Sequence, residues 1–162
     1  MLAGGSSYSD TYVNGLRGRQ SEQVRLLEWV SGNALDELLT NAMLLVLPSD
    51  LEGLSLAMLD AMGAGVCVLA SDVPENLEVL ESSGFTFRHG DCNDLKRMLQ
   101  LLISEPEIRK SAAAGTRERV WEHYLWDRVA KEIESIYLDL AGRTMAPKPA
   151  SAKAAGFRHR AA

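Results

Sequence analysis

Glu52 and Asp60 stand eight positions apart in the stretch EGLSLAMLDAMGAG (52–65), with Gly53 directly behind the first acid and Ser55 placed to cap an apolar helix. A capping serine takes one free N–H of the first helical turn, while the groups from about Gly53 through Leu54 and Ser55 to Leu56 stay open. Open N–H groups at the positive end of a helix form an anion site, and a glycine there lets a phosphate approach the main chain. Each charge-assisted hydrogen bond contributes ~1.5–3 kcal/mol and the helix dipole ~0.3–1 kcal/mol, so a diphosphate meeting two or three such groups is held well.

Two acids beside an anion site repel the anion, so they call for a different task. Asp60 falls about one and a half turns into the helix, and helical side chains lean toward the N-terminus, so its carboxylate can reach back and accept from hydroxyls such as those of a ribose. Glu52 precedes the helix and lies on the other side of the phosphates, where a sugar would project. The plainer alternative makes Glu52 a solvated loop acid and Asp60 a surface helix acid, because carboxylates are mostly exposed. Spacing alone leaves both readings open.

The elements that must position these residues alternate along the chain. VRLLE (24–28), MLLVLP (43–48), VCVLA (66–70) and FTFR (85–88) read as strands, and helical patterns follow in NALDELLTNA, ENLEVLES and DLKRMLQLLI. Asp91 is a candidate N-cap of the last of these, and Pro106 suits a first helical turn ahead of a long helix in which Gly115 is a weak point. A closing helix places Trp126, Val129, Ala130, Ile133, Ile136, Tyr137 and Leu140 on one apolar stripe, and Gly142 ends it. Continuous apolar strands between amphipathic helices predict an α/β fold, a Rossmann-like parallel sheet with helices on both faces. Ligands of such sheets lie beyond the carboxyl ends of the strands, and LVLPSDLEGLSL is a strand, loop and helix start of that kind.

The 162 residues suit one domain with a real core. Residues 1 to 142 carry 12 basic and 22 acidic residues, which argues against a nucleic-acid surface. Residues 143 to 162, rich in Ala and Pro with five basic residues, read as a disordered tail with at most weak contact to anionic lipid. With no signal-peptide pattern and no transmembrane run, a cytoplasmic location is expected. The expected domain therefore spans residues 1 to 142. Cys67 and Cys92 have no metal spacing, and Cys67 in VCVLA reads as a buried inert thiol. His89 reads as a polar loop residue, and only Leu2 and Ala3 remain of a first strand before a Gly-rich turn.

EGLSLAMLDAMGAGVCVLASDVPENLEVLESSGFTFRHGD, with VRLLEWVSGNALDELLTNAMLLVLPS ahead of it and the closing helices behind, resembles the C-terminal donor-binding domain of the family 4 glycosyltransferases of GT-B architecture. The resemblance covers about 140 residues in order. It implies that Glu52 lies against the donor sugar as the catalytic acid residue, that the backbone of Gly53, Leu54, Ser55 and Leu56 holds the diphosphate, and that Asp60 binds the ribose. It also implies that the turn bearing Trp29 and Val30 faces the base. No metal and no cofactor beyond a nucleotide diphosphate sugar, the donor substrate, are implied. Asp60 stands where a glutamate is usual, a side chain shorter by about 1.5 Å, and Glu28 stands where many relatives have glycine.

The Arg and Lys that neutralise the diphosphate, and the whole acceptor-binding N-terminal domain, are expected upstream of LAGGSS, so the first strand is expected to be incomplete. The expected function is retaining transfer of a hexosyl group from a nucleotide diphosphate sugar to an acceptor hydroxyl, with this chain inactive alone. Two alternatives stand beside it. One is a non-catalytic nucleotide-binding or docking module that complements a separate N-terminal half, and the other is a nucleotide-sugar epimerase of similar architecture.

Overall fold

The computed structural model describes residues 1–5 and 10–142, so the expected tail from 143 onward lies outside the described residues. In chain order the elements are β1 (Leu2–Ala3), α1 (Asp10–Arg17), β2 (Leu26–Leu27), α2 (Asn33–Thr40), β3 (Leu45–Leu47) and α3 (Leu56–Gly63). They continue with β4 (Val68–Ser71), α4 (Pro74–Leu80), β5 (Phe85–Phe87), α5 (Cys92–Ser104), α6 (Pro106–His123) and α7 (Trp126–Leu140). Two compact units result, Met1–Tyr124 and a second that begins at Leu125 and whose described element is α7.

All strand pairs are parallel, as the alternation of elements predicts. The ladder comes in two hydrogen-bonded pieces, β1 with β2 and β3–β4–β5 in that order. The strands are shorter than the apolar runs suggest, because an apolar run marks burial whereas a strand needs a partner in register: Leu45, Val46 and Leu47 face Val68, Leu69 and Ala70. Leu2 and Ala3 pair with Leu26 and Leu27, so the two residues of the opening run do form a strand.

Period-two alternation along VCVLA builds the core. Val66, Val68 and Ala70 join Met58, Ala61 and Met62 of α3, Val79 and Leu80 of α4 and Leu39 of α2 on one face. Cys67 and Leu69 join Phe87 of β5 with Met98 and Leu102 of α5 on the other. Both faces of β4 are therefore covered, and all four of its residues are buried, the environment in which an uninterrupted apolar strand is stable. Helix α6 serves both layers, packing Ala112 and Ala113 against the second cluster and Val120 into the first. It runs unbroken through Gly115, where an added Cβ would meet Ser83 only at 3.5 Å. Packing of Ala112, Ala113, Thr116 and Val120 on either side of Gly115 outweighs the ~1 kcal/mol helix cost of one glycine.

Asp91 caps α5 as expected, its side chain accepting from the N–H groups of Asn93 and Asp94. Helix α1 carries no strong sequence signal, having Asn14 and Gly15 inside it, and forms nonetheless. Helix α7 is amphipathic, with Trp126, Ile133, Ile136, Tyr137 and Leu140 exposed, and ends ahead of Gly142, whose φ of 69° is a left-handed conformation that glycine adopts without strain. Among the described residues no helix is long and apolar enough to cross a membrane.

Candidate functional site

Because β3, β4 and β5 run parallel in register, their carboxyl ends emerge along one edge, and the loops that follow them meet there. The loop after β3 carries Ser49, Asp50 and Glu52, β4 closes with Ser71 and is followed by Asp72, and β5 is followed by Arg88 and His89.

Side chains tie these loops together. The Ser49 hydroxyl donates to Glu52 Oε1 at 2.5 Å. The Ser71 hydroxyl donates to the Ser49 carbonyl at 2.6 Å. The amide of Asn76, on the first turns of α4 and 0 % exposed, donates to the Ser71 carbonyl at 3.0 Å and to its Oγ at 3.3 Å. Nearby, His89 Nε2 lies 2.8 Å from Asp50 Oδ1 while the His89 main-chain N–H donates to Asp72 Oδ1 at 2.7 Å. Asp94, at the start of α5, accepts the Arg88 N–H at 2.8 Å and so holds the same loop from below. That main-chain bond, followed by the Arg97 side chain, keeps the Asp94 carboxyl below the usual carboxylate range.

Ser55 is the N-cap of α3, as its position predicts. It has extended backbone (φ −72°, ψ 104°), is buried, and its Oγ accepts from the Met58 N–H, while its carbonyl accepts from the Leu59 N–H. The N–H groups of Gly53, Leu54, Ser55 and Leu56 have no hydrogen-bond partner among the described residues. The first turn of α3 carries no acid that would occupy its positive end. A Cβ on Gly53 would meet nothing within 4 Å, so space lies open in front of this backbone. Donors aimed into open space beside a held carboxylate can bind an anion and leave Glu52 to accept from a neutral hydroxyl.

The predicted residues are thus partly assembled. Glu52, Gly53, Leu54, Ser55 and Leu56 form one continuous segment, with Glu52 half-buried, Ser55 buried and Gly53, Leu54 and Leu56 exposed. Asp60 stands exposed further along α3. Trp29, 82 % exposed, and half-buried Val30 lie on the loop after β2, outside the hydrogen-bond network among the described residues. Sequence reasoning missed Ser49, Asp50, Ser71, Asp72 and Asn76. The contact of Ser49 with Glu52 spans three residues and was open to a local reading, but Ser71 and Ser49 are 22 positions apart. Asn76 is buried with its side-chain oxygen unpaired among the described residues, a cost of about 1–3 kcal/mol that its two donated bonds must offset. Two open hollows of about 230 and 200 Å³ lie elsewhere, one beside Ser83 and Arg119 and the other beside Met43 and Arg109.

Residues 2–119 match the family model described as glycosyl transferases group 1. The chain is 28 % identical over 126 residues to an uncharacterized glycosyltransferase of Methanocaldococcus jannaschii, covering 75 % of this chain and 32 % of that protein. It is 30 % identical over 119 residues to the alpha-maltose-1-phosphate synthase of Mycolicibacterium smegmatis, covering 68 % of this chain and 30 % of that one. It therefore spans about a third of the length of these curated relatives. Among solved structures, the sucrose-phosphate synthase of Thermosynechococcus elongatus superposes with a TM-score of 0.77 at 24 % identity, over 87 % of this chain and 38 % of the other. The Anabaena protein HepE in complex with UDP and glucose superposes with a TM-score of 0.78 at 17 % identity, over 85 % and 40 %. These likenesses establish the Rossmann-like half of a GT-B-type fold.

Proposed function

The chain belongs to the glycosyl transferases group 1 family, and on that premise we propose that it is the donor-binding half of a family 4 type retaining glycosyltransferase. One observation carries the reading: Glu52 is held by Ser49 directly beside the N–H groups of Gly53 to Leu56, which have no partner among the described residues, and the open space before Gly53. In this reading those groups grip the diphosphate of a nucleotide sugar, Glu52 accepts from a hydroxyl of the hexose, and Asp60 accepts from the ribose. Trp29 and Val30 face the base.

In the reaction, the bond from the sugar's anomeric carbon to the diphosphate oxygen breaks and a bond to the acceptor oxygen forms on the same face. The acceptor's proton passes to the departing phosphate. The chain's own contribution is positioning and stabilisation of charge at the leaving oxygen. Relatives of which this chain matches only 32 % and 30 % support an acceptor-binding partner half, in the same polypeptide or a separate one, and transfer by this chain alone is expected to be negligible. The exposed apolar stripe on α7 favours a second reading beside it, a nucleotide-binding module that works only in complex with a separate N-terminal half.

Calorimetric titration with UDP, GDP and ADP and with the corresponding nucleotide glucoses tests the site and identifies the base. Glu52→Ala is expected to weaken the sugar nucleotide about 10-fold and leave the plain diphosphate within twofold, since a hydrogen bond to a charged group contributes about 1.5–3 kcal/mol. Asp60→Ala is expected to weaken both alike. Equal affinities in wild type and both variants would remove these roles. Robust sugar transfer by the purified chain would overturn the dependence on a second half.

A further inference from the structure

Glu52 does not stand alone in the loop: a line of polar groups runs from it back to a residue with no exposure at all. Its carboxylate takes the Ser49 hydroxyl at 2.5 Å, the Ser49 carbonyl takes the Ser71 hydroxyl at 2.6 Å, and Ser71, 1 % exposed, takes both donors of the Asn76 amide. With Asn76 Nδ2 donating to both the Ser71 carbonyl and its Oγ, that hydroxyl accepts on the side of the amide. Its single proton is thereby directed to Ser49. The orientation of the Ser71 hydroxyl is dictated from inside the protein, and it pins the main chain of the loop that presents Glu52. Asn76 keeps this geometry although its side-chain oxygen has no partner among the described residues, which marks its donors as the part that matters.

From this we infer that Asn76 and Ser71 are positioning residues for Glu52, setting its carboxylate at the sugar-recognising point of the site. The assignment deepens the reading of Glu52 as the sugar contact and rests on it for its functional consequence, whereas the relay itself is a property of the free protein. Neither residue touches the ligand. They act on discrimination between a sugar nucleotide and the bare diphosphate, because only the sugar meets Glu52.

The test uses the full chain, with Ser71→Ala and the near-isosteric Asn76→Asp, which replaces the donating amide by an acceptor. The first readout is the ratio of affinities for a nucleoside diphosphate glucose and its diphosphate, using whichever of the UDP, GDP and ADP series binds best. Each variant is expected to lower that ratio at least fivefold with diphosphate affinity within twofold. Neither is expected to add to the loss in Glu52→Ala, and Ser71→Thr, which restores the hydroxyl, is expected to recover the ratio. The second readout needs no ligand: the side-chain carboxyl 13C resonance of Glu52, identified by its disappearance in Glu52→Gln, shifts in Ser71→Ala and Asn76→Asp and returns in Ser71→Thr. A resonance that stays in place in Ser71→Ala overturns the relay, and affinities for sugar nucleotide and diphosphate that fall together overturn the role of Ser71 and Asn76 in positioning Glu52 for the sugar. A shifted resonance in a protein that binds no sugar nucleotide upholds the relay and removes the sugar role of Glu52 instead.

Discussion

His89 Nε2 lies 2.8 Å from Asp50 Oδ1, joining the loop after β5 to the loop after β3 across 39 residues of sequence. The same histidine is held a second time, its main-chain N–H donating to Asp72 Oδ1 at 2.7 Å. These two bonds differ in worth. The Asp50 carboxylate is almost fully exposed, and exposed pairs contribute about 0–1 kcal/mol, whereas a main-chain N–H on a carboxylate contributes about 1.5–3 kcal/mol. His89→Ala is therefore expected to cost less than about 1 kcal/mol and Asp72→Ala about 1.5 kcal/mol, the low end of that range because its carboxylate is itself exposed, in urea denaturation followed by circular dichroism. A larger loss from His89→Ala would show that the imidazole bridge, and not the main chain, holds the loops.

Asp94 secures that loop at its other end, and the consequence depends on pH. Its carboxyl is held below the ordinary value of 3.8, first by the Arg88 N–H and then by the Arg97 side chain, so its contribution is fully present above 3.8 and is lost as pH falls from there through the lower value of the folded protein. Asp94→Asn is expected to lower the melting temperature at pH 7, with the gap to wild type closing progressively below about pH 4. Melting curves from pH 7 to 2.5 check this, and a constant gap would contradict it.

The two cysteines are expected to react at very different rates. Cys67, 2 % exposed, lies immediately ahead of β4, and burial, partly offset by Arg109, pushes its thiol up to about 11, while Cys92 is exposed at the start of α5. A chromogenic disulfide reagent at pH 7.5 should label one thiol in the folded protein and the second only after denaturant is added, since the thiolate is the reactive form. The same shift lowers stability as pH rises from 9 toward 11, where the unfolded chain has released the proton and the folded one has not.

Arg119 closes the far end of α4. Its Nε donates to the Val79 carbonyl at 2.5 Å and its Nη2 to the Glu78 carbonyl at 2.8 Å, and it pairs with Glu81, whose φ of 44° turns the chain out of the helix. The side chain is largely buried, so truncation strands two helix-terminal carbonyls as well as a charge partner. Arg119→Ala is expected to cost about 2–4 kcal/mol, measured by chemical denaturation. A loss below about 0.5 kcal/mol would mean that water replaces the guanidinium freely.

Much of this could be read locally. The caps at Ser55 and Asp91 and the first-turn proline of α6 depend on neighbours within a few residues, the unbroken apolar run VCVLA marks a strand buried on both faces, and each is found where its residues predict. Helix α1 was illegible because Asn14 and Gly15 weaken its helical signal. Strand limits were overestimated because hydrophobicity reports burial and cannot report which residues find a partner across the ladder.

The sequence by itself determined the kinds and order of the elements from β2 onward, the open N–H groups ahead of α3 and the acid that precedes them, since propensity, capping and period are encoded over three to seven residues. Tertiary structure decided what supports that acid. Ser71 and Asn76 reach Ser49 only because β3 and β4 lie parallel in one register and deliver their carboxyl ends to the same edge, a pairing set by the packing of two apolar layers and not by any residue near Glu52.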